Sequence, residues 1–509
     1  MNDPLPSVTT IGRAGSGSLS PFYLSGLNRL LLAAGLSFAL PLSLPGATVE
    51  EVIAEVELIA GEPGLHTALM GFCLVDLEAA PETAVGYRMD AALVPASVMK
   101  AITTATANEV LGPDYRFVTE LQTKGVLGDD GVLKGDVVIR GGGDPTLAAS
   151  ELSPTYAKWK SALLEAGVKR VEGRVVGDAS IFGTILTPET WPWNDLGNYY
   201  GAGASGLTVH QNLFYASFQT PSVGARAPFS GTEPRLPGHE FVNEMRVGTA
   251  ASGDKGYVYG DPYGKLFTFR GTVPAGSGSF TIKGALPDPA LFCARTFSEY
   301  LNGNGLPVAG TPSTDRLLGN AGEEIGAREK IFEQSSEPLS EILVTTNHKS
   351  DNLKAECIHR AIAVKVKGEG SPTAAAEAVR SHWAEKGIDM TGFFMGDGCG
   401  LSRANAVTAR QLALILHAAA KGGDFETFRQ SLPVAGQSGT LKSIGGGSAA
   451  EGRIRAKSGT MDRIRNYAGY LEARSGKRYA FALFVTNHTA DLASVKAKIV
   501  RVWSVMAGL

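Results

Sequence analysis

The sequence predicts an α/β fold: a helix-flanked antiparallel sheet built from both ends of the chain, with β-rich modules inserted between them. Three observations carry this. Residues 68–77, "ALMGFCLVDL", read as a buried strand, and a helix fits 97 to about 110, closed by Gly112-Pro113. The chain ends on two apolar strands around Ser475-Gly476, followed by a helix with Leu492, Val495, Ile499, Val502 and Met506 on one face. The stretch between is dense in Gly and Pro and has short alternating runs, with a hairpin signal at Asp129-Asp130-Gly131. Helices on such a sheet would bury its apolar strands.

The elements follow in order. A polar lead, 1–27, precedes Arg29 and an apolar run over 30–40 that Pro41 ends. That run is about half of the roughly 20 residues a bilayer-spanning helix needs. It suits the core of an export signal within residues 1–47, with cleavage near Ala47. Segments 48–118 and 334–509 form the main domain, the second with helices at 339–345, 353–366, 372–386 and 409–420. Residues 119–193 with 296–333 form one inserted domain, including a helix at 156–167, and 194–295 form another. The absence of a fixed-period repeat argues against a solenoid or propeller. The 509 residues are 44% hydrophobic and 19% charged with net charge −3, so no basic excess points to nucleic acid. Cys73, Cys293, Cys357 and Cys399 are too sparse for a disulfide framework or a metal cluster and read as buried thiols.

Ser97 and Lys100 stand one helical turn apart in "VPASVMKAIT". Alone, S-x-x-K is a polar helix start. Two further motifs change its meaning: Ser350-Asp351-Asn352 in "TTNHKSDNLKAE" and Lys457-Ser458-Gly459 in "RAKSGTMDR", just before the terminal hairpin. The succession S-x-x-K, S-D-N, K-S-G resembles the serine penicillin-recognising enzymes. The long stretch between the first two motifs resembles the class C low-molecular-mass penicillin-binding proteins, which are D-alanyl-D-alanine carboxypeptidases and endopeptidases. "GGGDPTL", "WPWNDLGNYYGAGASGL", "DGCGLSR" and "LPVAGQSGTL" look like the same family, and the resemblance runs from about 60 to 509. It implies a penicillin-recognising, β-lactamase/transpeptidase-like domain with two domains inserted after the first motif. Ser458 stands where Thr is usual, Cys399 where Ser is usual, and His348 where Lys is common. The last would alter the charge near the site.

These residue types suit acyl transfer. A serine hydroxyl needs activation, and Lys100 can supply it only when neutral. Burial and a nearby Lys457 ammonium would both lower its pKa, and the helix N-terminus adds a positive dipole under Ser97. Ser350 can relay a proton. Asn352 can hold Lys100 or the substrate's amide carbonyl. The resemblance implies an oxyanion hole from the Ser97 and Thr460 N–H groups. Lys457 with the Ser458 and Thr460 hydroxyls, flanked by Gly459 and Met461, suits the terminal carboxylate of a D-Ala-D-Ala stem. Trp191, Trp193, Asp195 and Tyr200 are expected to line a pocket with Met461, in which Asp195 pairs with an ammonium such as that of diaminopimelate. Asp144-Pro145 reads as a turn. No H-E-x-x-H or Cys/His ligand spacing calls for a metal, and no organic cofactor is needed.

The expected partners are peptidoglycan stem peptides and β-lactams in the periplasm or extracytoplasmic wall space, with no nucleic acid and at most peripheral membrane association. One rival is a β-lactamase or related esterase, although the class A E-x-x-L-N string is missing. The other is a non-catalytic peptidoglycan-binding protein on the same fold, which would predict loss of a motif residue.

Overall fold

The computed structural model describes residues 46–323 and 326–509. Residues 1–45, and with them the expected export segment, lie outside the described residues. The first helix among the described residues, Val49–Gly61, opens on a capping box: Glu51 N–H donates to the Thr48 hydroxyl and Thr48 N–H to the Glu51 carboxylate. Its Val52, Val56 and Ile59 recur at helical spacing and are buried. It packs on the last helix, Leu492–Met506, which Asp491 caps and which buries Val495, Ile499, Val502, Trp503 and Met506. Leu492, expected on that face, is exposed.

These two helices cover one face of a five-stranded antiparallel sheet. Its order is Ile454–Met461, Ile464–Glu472, Arg478–Thr486, Leu69–Asp76 and Val85–Tyr87. Strand side chains alternate between faces. Phe72, Leu74, Phe481, Leu483 and Val485 join the core under the terminal helices, and Cys73, Val75, Ala480, Ala482 and Phe484 join the opposite core. Because both faces are covered, Arg478–Thr486 is buried after its first residue and reads as one apolar run.

The opposite face carries the helical layer that positions the motifs. Met99–Val110 is buried from Met99 through Asn108, as befits a helix with no solvent face. Leu339–Lys349, Asn352–Lys367, Pro372–Glu385 and Ala409–Ala419 pack about it. All were expected, with ends displaced by no more than about one turn.

Among the described residues, the intervening chain holds three more sheets. Val118–Leu127 and Val132–Arg140 form the hairpin expected around Asp130, at the centre of a six-stranded sheet that Glu329–Ser335 joins at one edge. Leu213–Gln219 is the middle strand of a three-stranded sheet, and Leu266–Pro274 organises a four-stranded one. Phe214, Phe218, Phe229, Phe267 and Phe269 pack edge-on or tilted between these two. The helix Pro289–Gly303, capped by Asp288, packs on Val175–Asp178 of the six-stranded sheet. The expected boundary between 295 and 296 therefore falls inside one helix. That between 333 and 334 cuts the strand Glu329–Ser335. All four cysteines are buried and free. No helix among the described residues is long and apolar enough to cross a membrane.

Candidate active site

Ser97 sits in a single 3₁₀ turn, Ala96–Val98, that feeds the helix Met99–Val110. Ala96 has φ +50°, the left-handed region that costs an L-residue about 1–2 kcal/mol, so the turn must be held from outside. Three neighbours hold it. Asn466 donates its side-chain amide to Val94 O and Pro95 O, at 2.9 and 2.8 Å, while its Oδ1 accepts from Val485 N. Gly459 of the third motif lies so close that a Cβ there would stand 2.6 Å from Pro95 O. Gly400, at φ +83°, abuts Ala96 O.

Lys100 is fully buried, and its Nζ meets three acceptors: Ser97 Oγ at 3.1 Å, Asn352 Oδ1 at 2.6 Å and Cys399 O at 2.6 Å. An ammonium satisfies all three. A neutral amine has two N–H groups and one lone pair. The Asn352 and Cys399 oxygens can only accept, so in the neutral form the lone pair faces the Ser97 hydroxyl. The Asn352 Nδ2 donates to Tyr200 O at 2.7 Å, so Asn352 holds Lys100 and ties the inserted segment to the helix beneath it.

The S-D-N motif is a corner between two helices. Ser350, at φ +56°, ends Leu339–Lys349, Asp351 caps the next helix by accepting from Lys354 N, and Asn352 begins it. Lys457 is fully buried and donates to Ser350 Oγ at 2.9 Å and to Ser458 O at 2.7 Å.

Burial pushes both lysines below the ordinary lysine range. For Lys100, Asp397, Glu356 and Asp351 pull the other way. Lys457 has no such support, and repulsion from Lys100 drives it lower still. The mutual repulsion expected to depress Lys100 therefore falls mainly on Lys457.

Ser97, Ser350, Asn352, Thr460 and Met461 open onto a cleft of about 660 Å³, whose far wall includes Asp195 and Tyr200 from the inserted chain. Tyr200 donates its hydroxyl to Asp195 Oδ1 at 3.1 Å, and burial raises the Asp195 carboxyl above the usual range. Trp191 is not at the cleft: it is buried and donates Nε1 to Asp397 at 2.7 Å. Trp193 tilts against Tyr259 and is 64% exposed. The four-residue helix Trp193–Leu196 follows Trp191, so neighbours in sequence part in space. Ser458 is also turned away, its hydroxyl donating to Thr440 Oγ at 2.7 Å.

Sequence reasoning missed the support behind Lys100. Glu356, one turn after Asn352, accepts from Cys399 N at 2.7 Å, and the Cys399 carbonyl takes Lys100. The Cys399 thiol faces Asp397 instead, so a Ser-to-Cys change leaves the backbone contact intact. Glu356, Asp397 and Cys399 bring ligand atoms within 4.8 Å of one another. Both Asp397 oxygens already accept N–H groups from Trp191, Gly400, Ser402 and Asn405, so the cluster is a hydrogen-bonded brace. Burial, with repulsion from Asp397, pushes Glu356 up to about 7. Burial and then Arg455 hold His348 below its ordinary range, so it adds no charge at neutral pH. Only the i+4 spacing of Glu356 from Asn352 could have signalled this brace.

A serine over a buried lysine, a Ser-Asp-Asn corner and a Lys-Ser-Gly strand at a sheet edge place the molecule among the serine penicillin-recognising proteins. Within that class the chain belongs to the D-Ala-D-Ala carboxypeptidase 3 (S13) family, whose sequence pattern matches residues 52–505. It is 32% identical to the D-alanyl-D-alanine carboxypeptidase of Actinomadura sp. (strain R39), over 98% of this chain and 93% of that protein. It is 26% identical to D-alanyl-D-alanine carboxypeptidase DacB of Haemophilus influenzae, over 80% of this chain and 84% of that one. The crystal structure of penicillin binding protein 4 from Haemophilus influenzae shares the fold. Its TM-score is 0.76 at 23% identity, covering 89% of this chain and 98% of that chain.

Proposed function

We propose that this chain, a serine-type D-Ala-D-Ala carboxypeptidase, cleaves peptidoglycan stem peptides through an acyl-enzyme on Ser97, outside the cytoplasmic membrane. Lys100, as neutral amine, takes the Ser97 proton while Oγ attacks the carbonyl carbon of the penultimate D-Ala. The Ser97 and Thr460 N–H groups hold the oxyanion. As the C–N bond breaks, Ser350, held by Lys457, gives its proton to the leaving amine and is reprotonated by the proton Lys100 took from Ser97, which returns Lys100 to the neutral amine. Water, deprotonated by the same base, then attacks the ester and frees Ser97. An amine from a second stem can leave in the same way, which is endopeptidase action on a cross-link.

The observation that carries this is the contact set of Lys100, which leaves one lone pair, aimed at Ser97. Substrate completes the activation: a carboxylate beside the third motif stabilises charge on Lys457, and repulsion then favours the neutral form of Lys100. β-Lactams would acylate Ser97 and persist. Intact mass after penicillin treatment should show one adduct, mapped to Ser97. No adduct, or an adduct elsewhere, ends the reading, and rapid turnover without accumulation would favour a β-lactamase.

Asp195 is assigned to an ammonium group on the substrate, with Tyr200 orienting it. The raised Asp195 carboxyl has Arg403 as its offsetting cation and gains from a second. Asp195→Ala should lower kcat/KM roughly 10-fold on stem peptides with a free side-chain amine. Peptides with that amine acetylated should be unaffected, and equal losses on both refute the assignment.

A further inference from the structure

Arg465 pairs across the sheet with Thr460, the residue directly after the third motif, which opens onto the cleft. It is 7% exposed, and its guanidinium donates from Nη1 to Thr460 Oγ. Its Nε is buried without a partner, and among the described residues no carboxylate forms an ion pair with it. A guanidinium buried without a counter-charge is costly. A fold keeps it when an anion arrives from elsewhere.

The hydrogen-bond roles say where. A guanidinium only donates, so Thr460 Oγ must accept from Arg465. The Thr460 O–H hydrogen is then free to donate into the cleft. The Ser458 hydroxyl is already donated to Thr440. Of these two hydroxyls, that of Thr460 is therefore the one left to meet a ligand, and Arg465 fixes it as a donor and adds positive charge behind it. We propose that Arg465 is a positioning residue that makes this cleft select substrates ending in a free carboxylate. The inference rests on the acyl-enzyme reading above and extends it to specificity. Nothing in the short motif "AKSGT" reports Arg465, because it reaches the site across a strand pair.

The test compares one stem peptide ending in D-Ala-D-Ala as the free acid with the same peptide as its C-terminal amide, using native enzyme, Arg465→Met and Arg465→Lys. Arg465→Met should lower kcat/KM on the free acid roughly 30-fold and leave the amide within about 3-fold, so the preference collapses. Arg465→Lys should keep part of the preference. Equal losses on both substrates, or an unchanged ratio, would overturn the proposal and leave Arg465 as a brace for the strand pair. A native enzyme that cleaves neither peptide and forms no Ser97 adduct would instead sink the acyl-enzyme reading.

Discussion

Replacing Lys100 with Met should slow acylation of Ser97 by about 10³–10⁴-fold, the upper range for removing a positioned base. Methionine fills a similar volume but cannot accept a proton. The native pH profile gives the second signature. Lys100 cannot act while protonated, so kcat/KM should be lost as pH falls through the Lys100 pKa. Burial places that pKa below the ordinary 10.5. In the variant this limb should vanish, leaving a slow, flat profile. The substitution also strips the donor from Asn352 Oδ1 and Cys399 O, both of which receive short bonds from Nζ. Each orphaned buried acceptor costs about 1–3 kcal/mol, so the melting temperature should fall while the fold survives. Acylation at the native rate, measured with a fluorescent penicillin, would remove Lys100 from the reaction.

The parts legible in the sequence share one property: their meaning is local. Strands 69–76 and 478–486 announce themselves because both sheet faces are covered and their interior positions are almost all apolar. The three motifs are each a single turn, corner or strand, so residue spacing alone makes them recognisable. What stayed hidden is non-local. Asn466, Glu356, Asp397 and Arg465 act through partners on other elements: Asn466 on Pro95, Glu356 on Cys399, Arg465 on Thr460. Trp191 was misplaced for the converse reason, since its nearness to Asp195 in the chain stood in for nearness in space. The helix Val49–Gly61 carries a legible capping box, Thr48 to Glu51, but follows directly on a segment read for export. The helix Pro289–Gly303 lies where Gly and Pro are dense, and its Pro289 is a first-turn residue, not a breaker.

Gly400→Ala should disable the site from a residue that bears no functional group. Gly400 has φ +83°, and an added Cβ would stand 1.9 Å from Ala96 O and 3.0 Å from Ser97 N. Both are backbone atoms, so no side chain can swing aside. Nor can Gly400 easily retreat, because its N–H donates to Asp397 Oδ1 at 2.7 Å within the buried brace. The strain must therefore move either the turn bearing Ser97 or the loop whose Cys399 carbonyl holds Lys100. Either motion separates the hydroxyl from the lone pair, and a displacement of about 1 Å in a reacting pair costs on the order of 100-fold. Acylation should fall by that factor or more, together with a clear loss of thermal stability. Gly368 provides the control: it ends Asn352–Lys367 at φ +80° with open space around it. Gly368→Ala carries the backbone strain, about 1–2 kcal/mol, without the clash. It should lower the melting temperature a little and leave acylation at the native rate. If both variants acylate normally, the contact between the Gly400 loop and the Ser97 turn does not set the geometry of the nucleophile. If both lose acylation equally, overall strain and not the contact is responsible.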